Sequence, residues 1–150
     1  MGMEDVTENP DAETLALLHA LENDNNSNIV KLSNSKIKSL KNNFLQQLHL
    51  SRDELKLMHI KLKEYRIVDD LTDLQVGGYL RWIPLKNPDN INLTNGAFVT
   101  DYKFCNSGIV LTCRNQFNRF LQLRFDENMI FQKITDQEKI ILSVLDYLNT

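Results

Sequence analysis

Seven residues of this chain combine charge or aromaticity in patterns that suit phosphates and flat rings: Arg52, Lys56, Lys63, Tyr79, Arg81, Lys103 and Arg114. Arg52, Lys56, His59 and Lys63 are separated by four, three and four residues, which returns to one side of a helix. Tyr79 and Arg81 alternate with Leu80 and Trp82 in a strand-like run, so they share a face. Lys103, Thr112 and Arg114 fall on the face turned away from Phe104 and Leu111, with Arg119 and Arg124 close in sequence. Cations and aromatic rings on one sheet face can pair with phosphates and stack bases. The competing reading is an ordinary wet outer face, with Trp82 in the core. Residues 67–150 are almost balanced in charge, which favours the wet face. Any nucleic-acid affinity is therefore expected to be weak and unspecific, led by Arg52, Lys56 and Lys63, with Lys103 and Arg114 secondary.

Other chemistries find no residue pattern. His19, His49 and His59 all fall in helical segments without ligand spacing, and zinc needs three or four converging ligands. Asp69, Asp70 and Asp73 lack the alternating oxygens, turn glycine and distal glutamate of a calcium loop. Gly77-Gly78 has no Gly-x-x-x-x-Gly-Lys around it and reads as a close approach or bend at a strand start. There is no Gly-x-Ser-x-Gly, and neither cysteine has a base nearby. No catalytic residue, metal site or cofactor is expected.

These residues must be carried by two kinds of element. The first is a set of short runs at 78–83, 97–104, 109–113, 120–125 and 129–134, punctuated by Asn87-Pro88-Asp89-Asn90, Asn95-Gly96, Asn106-Ser107-Gly108 and Asp126-Glu127-Asn128. A meander this dense predicts a small antiparallel, β-barrel-like sheet of four or five strands. Its expected core includes Phe98, Tyr102, Phe104, Leu111, Leu121, Leu123 and Phe125. Matching apolar faces pairs Phe104 with Leu111 and Tyr102 with Cys113 across a Ser107-Gly108 turn. In that register Cys105 and Cys113 point to opposite faces and stay free thiols, which suggests a reducing compartment.

The second kind is helical. Ile37, Leu40, Phe44, Leu45 and Leu48 predict a helix over 35–49. Ser51 and Glu54 form a capping box, with Leu50 and Leu55 as its staple, so a second helix over 52–66 makes a hairpin with the first. Leu57 and Ile60 lie off its main apolar stripe, which predicts burial on more than one side. Residues 67–74 read as an acidic lead-in to the sheet. Thr135 and Glu138 cap a final helix, with Ile140, Ile141, Val144, Leu145 and Leu148 on one face, expected to lid the sheet or pack on the hairpin. Asp11 caps a short helix over 12–22 bearing Leu15, Leu18 and Leu21. The organisation expected is an acidic, largely flexible leader over 1–32 and one α+β domain over 33–150: helical hairpin 33–66, meander 75–134, C-terminal helix 135–149.

The bulk numbers fit such a chain. With 150 residues, 42% hydrophobic and 25% charged, it has room for a real core. No apolar run is long enough to span a membrane. The acidic N-terminus does not read as a secretory or transit signal, and Val6 replaces the Ser or Thr of a myristoylation motif. Charge is segregated: residues 1–30 carry net −7, residues 31–66 net +6 and residues 67–150 net −2.

Four strings, Tyr65-Arg66-Ile67-Val68-Asp69-Asp70-Leu71, Gly78-Tyr79-Leu80-Arg81-Trp82-Ile83, Leu93-Thr94-Asn95-Gly96 and Ile130-Phe131-Gln132-Lys133, resemble uncharacterised small proteins of the nucleocytoplasmic large DNA viruses of the giant and algal kinds. The resemblance covers residues 36–148. It implies a viral source and a virion or virus-factory role, inside the host cell or in the particle. That family carries no assigned catalytic residues, so it transfers no site. The expected function is a non-enzymatic interaction module that binds other proteins, viral or a second copy of itself. The alternative is a nucleic-acid binder using the basic helix stripe and the small-barrel surface.

Overall fold

A computed structural model describes residues 11–23, 29 and 32–148. The expectation of a flexible leader falls on residues 1–10 and most of the asparagine-rich linker, outside those described. Among the described residues, four α-helices and six strands follow in the order α1 (Ala12–Glu22), α2 (Asn34–Gln46), α3 (Arg52–Lys61), β1 (Tyr65–Val68), β2 (Tyr79–Pro84), β3 (Ala97–Cys105), β4 (Gly108–Arg114), β5 (Phe120–Arg124), β6 (Asn128–Lys133) and α4 (Asp136–Leu148). The chain is α+β. It divides into two compact units, residues 1–35 with 135–150, and residues 36–134.

In the first unit α1 packs on α4. Asp11 caps α1 by accepting the Thr14 N–H at 2.7 Å. The capping box of α4 forms as the sequence predicts: Glu138 N–H donates to Thr135 Oγ1 at 3.1 Å, and Thr135 N–H donates to Glu138 Oε1 at 2.9 Å. Ala20 of α1 and Ile141 and Leu142 of α4 are buried, and Asn23 Nδ2 donates to Gln137 Oε1 at 2.9 Å. Leu148, expected on the buried face, is exposed. Within this unit the partner of α4 is α1.

In the second unit α3 stops at Lys61, earlier than the 52–66 expected. Tyr65-Arg66-Ile67-Val68, read as helix end and lead-in, is instead a strand with all four residues buried, paired antiparallel with β6. Its aromatic and β-branched residues suit a strand covered on both faces. The sheet therefore has six strands, one or two more than expected, in the order β1-β6-β2-β3-β4-β5. It is open, with β1 and β5 as its edges. One face of β1, β6 and β2 packs Tyr65, Ile67, Ile83, Met129 and Phe131 against Leu45 and Leu62 of the hairpin region. Leu57 and Ile60 point to solvent, at 50% and 65% exposure, so α3 is buried on one side only, against the expectation. The opposite face joins Val68, Ile130, Trp82, Val99, Leu111 and Leu123 in a second cluster with residues from all six strands.

The β3–β4 hairpin differs from the predicted register by two residues. Tyr102 faces Leu111 and Phe104 faces Ile109, so the turn is Asn106-Ser107. The two-residue slip keeps each residue on its expected face. A bulge between Val99 and Asp101 keeps Val99 on the face of Tyr102 and Phe104 and turns Phe98 to the other. Ahead of it Ala97 and Val99 are fully buried. Beyond it Tyr102 and Phe104, expected in the core, are 40% and 73% exposed. Phe98 is also exposed, on the other face, while Leu121 and Phe125 are half-buried.

Candidate nucleic-acid interface

Register places four residues in one row. Tyr79 of β2 faces Phe98 of β3, Phe98 faces Arg114 of β4, and Arg114 faces Phe120 of β5. Directly paired residues of an antiparallel sheet project from the same face. With strands about 4.8 Å apart, the row runs about 14 Å across the sheet. Phe98 is 46% exposed and Phe120 67%. Below the row on the same face stand Asp101, Thr112 and Gln122, then Lys103, Val110 and Arg124. Residues 97–124 hold Lys103, Arg114, Arg119 and Arg124 against Asp101 alone, net +3 in a chain of net −3.

Local chemistry fixes the row at both ends. Gly96 has φ +106°, a conformation glycine adopts without strain, and the Tyr79 ring lies directly over it. The Tyr79 hydroxyl donates to Asn95 O at 2.7 Å, and its ring meets Phe98 edge-on, centroids 5.0 Å apart. Arg81 Nε donates to Thr94 O at 2.8 Å, which commits this side chain to holding the same loop. At the other end, Asn115 Oδ1 accepts the N–H groups of Phe117 and Arg119, at 2.9 and 3.0 Å, and Asn118 takes φ +59°. That tight turn presents Phe117, 72% exposed, and exposed Arg119 beside Arg114 and Phe120.

The remaining sequence candidates lie apart from the row. Arg52 and Lys56 are exposed on α3. Lys63 lies two residues beyond the helix end, so it does not continue the stripe. His59, in the same spacing, is half-buried, and its Nε2 is 3.0 Å from Asn42 Oδ1. Burial, with Lys41 beside it, pushes the His59 ring below the usual imidazole range. Asp70 Oδ1 accepts the Thr72 N–H at 3.1 Å, and Asp73 O accepts from Arg66 at 2.7 Å, so two of the three lead-in aspartates organise their own loop. Among the described residues no group of three or more His, Cys, Asp or Glu converges, and no helix is long and apolar enough to cross a membrane. Sequence reasoning placed Tyr79 and Arg114 on this surface but missed Phe98 and Phe120. Both sit at alternating apolar positions that suit a core equally well, and only the cross-strand register tells the two cases apart.

Both cysteines are free, Cys105 exposed and Cys113 buried, and burial pushes the Cys113 thiol up to about 11. The thiolate is the reactive species, so exposure and acidity act together. A disulfide-exchange reagent at neutral pH is expected to label one thiol per chain promptly and the second only in denaturant. Equal native rates would contradict the burial of Cys113.

The fold defines a small α+β protein built on an open antiparallel sheet. Comparison with protein-family models, with curated proteins and with solved structures finds no match for the chain.

Proposed function

We propose that this protein is a non-enzymatic binding module whose β2–β5 face takes single-stranded nucleic acid. The observation that carries the reading is the row Tyr79, Phe98, Arg114 and Phe120, aromatic groups flanking a cation on one sheet face. Rings stack on unpaired bases with little regard for sequence, while arginine and lysine neutralise phosphates. Duplex bases are stacked on one another and offer no free faces to such a row. The local net charge of +3 supplies the attraction that the almost balanced charge of residues 67–150 conceals. We also read the sheet as curled toward a barrel, because the buried residues of one core cluster come from all six strands.

Fluorescence anisotropy with labelled single-stranded and duplex oligonucleotides, at two salt concentrations, tests the proposal. Single strands should bind more tightly. Phe98→Ala and Phe120→Ala should each weaken binding by about 5- to 100-fold, the range of one lost base stack. With four cations engaged, the log–log salt slope should be about −3, and Arg114→Ala should make it shallower by about one. The triple change of Arg52, Lys56 and Lys63 to alanine should leave affinity nearly intact. Absence of binding by the native chain, or loss confined to the triple variant, would refute the reading.

A protein-binding role in a virion or assembly is the second reading. Leu15, Leu18 and Leu21 support it, all exposed along α1 at 44%, 45% and 50%. Apolar docking there would survive high salt, whereas phosphate contacts would not.

A further inference from the structure

Strand β3 outruns its neighbour. Tyr79 and Leu80 of β2 pair with Phe98 and Ala97. Gly77 N–H and Gly78 O then bond the backbone of Val99 at 2.7 and 3.0 Å. From residue 100 to residue 105, β4 lies on one side of β3, and no strand among the described residues lies on the other. Every one of these residues is exposed. An open strand edge is a template for pairing with another strand.

The open side can be assigned. Cys105 and Gly108 close the two-residue turn, and hydrogen-bonded and non-bonded pairs alternate from there. Tyr102 and Phe104 accordingly turn their N–H and C=O groups away from β4. The Tyr102 N–H is in fact taken by Asp101 Oδ1, at 2.8 Å, a side chain capping the edge of its own strand.

We propose that this edge pairs antiparallel with the same edge of a second copy, with Tyr102 opposite Tyr102. The charges select that register. It sets Asp101 against Lys103 of the other copy, and two-fold symmetry repeats the pair. Opposite charges placed directly across a ladder stabilise it, and like charges destabilise it. Centring the pairing on Asp101 or on Lys103, the registers two residues either way, sets that residue against its own copy. Centring on Phe104 runs the pairing into the turn at Asn106. Registers shifted by one residue set outward-facing backbone groups against inward-facing ones. On the opposite face the chosen register stacks Tyr102 on its counterpart and lays Phe104 over Thr100 of the other copy. Pairing requires Asp101 to release the Tyr102 N–H, and the Lys103 ammonium of the second copy then receives the freed carboxylate. Self-capping therefore competes with association and makes it depend on concentration. The inference rests on the edge and its charges, and it stands whether or not the sheet face binds nucleic acid.

Sedimentation velocity of the full chain over a range of concentrations tests it. The native chain is expected to dimerise reversibly, more weakly at high salt. Asp101→Lys and Lys103→Asp should each weaken dimerisation by about tenfold or more, since symmetry converts two attractive pairs into two repulsive ones. The double variant Asp101→Lys/Lys103→Asp should restore it. Both residue changes are at exposed positions, and circular dichroism would verify that all three variants stay folded. A native chain that stays monomeric throughout overturns the proposal. So does a dimer that none of the variants affects, and so does a double variant no better than the single ones.

Discussion

Gly96→Ala is expected to lower the free energy of unfolding by about 2–4 kcal/mol and to abolish the binding proposed for the sheet face. A left-handed-backbone penalty adds to the cost of overpacking. Gly96 sits at φ +106°, and a Cβ there would stand 2.6 Å from Leu80 O and 2.8 Å from two atoms of the Tyr79 ring. Leu80 is fully buried and its carbonyl is backbone, so it cannot yield. The Tyr79 ring can yield, but only by giving up its hydroxyl bond to Asn95 O and its edge contact with Phe98. One added methyl group thus damages both the fold and the row. Gly77→Ala is the control. It carries the same kind of backbone at φ +96° but has nothing within 4 Å of its added Cβ, so it should show the backbone penalty alone. Urea denaturation of both variants, with anisotropy on the same samples, separates the two costs. Equal losses for Gly77→Ala and Gly96→Ala would mean that the tight contact at Gly96 does not exist.

The parts of this fold written locally in the chain were legible there. Ser51 accepts the Glu54 N–H, and Thr135 and Glu138 cap each other, because a capping box is complete within four residues. The runs that became β2 to β6 announced themselves through alternation and turn residues. What was hidden depends on distant partners. Tyr65-Arg66-Ile67-Val68 continues the helical spacing of Leu55, Met58 and Leu62, and becomes a strand because β6, far along the chain, pairs with it and both of its faces are covered. The bulge at Thr100 has no glycine or proline to mark it, yet it puts Phe98 on the face opposite Tyr102 and Phe104, which simple alternation would keep together. The candidate row was half legible for the same reason. Tyr79 and Arg81 alternate within one strand, but the row from Tyr79 to Phe120 exists only once three strand pairings are known.

Lys41 supplies the second large effect, at the place where the helical spacing gives way to the sheet. Its side chain is 4% exposed, and its ammonium donates to Leu62 O at 2.8 Å and Tyr65 O at 2.9 Å. It thereby ties the C-terminal cap of α3 to the first residue of β1, and a cation there also suits the negative end of the helix. Among the described residues no carboxylate pairs with it. Lys41→Ala should cost about 3 kcal/mol, because it empties a buried volume and strips donors from buried carbonyls. Lys41→Met should cost less, about 1–2 kcal/mol, because the apolar stem stays and Leu62 O keeps the Tyr65 N–H at 3.0 Å. Burial, helped by Lys38, holds the Lys41 amine below its ordinary range. The folded chain therefore binds this proton less tightly than the unfolded chain does. Its contribution to stability must rise as pH climbs from the lowered folded value toward the usual 10.5, and it is smallest where the amine is charged in both states. The neutral amine still donates, so both carbonyls stay satisfied. Urea denaturation of the native chain and Lys41→Met at pH 7 and pH 10 reads the difference directly, since other alkaline titrations are common to both. The native chain should gain on the variant at pH 10. If it loses ground instead, the folded state favours the charged lysine, and the ammonium is stabilised by its two carbonyls more than burial opposes it.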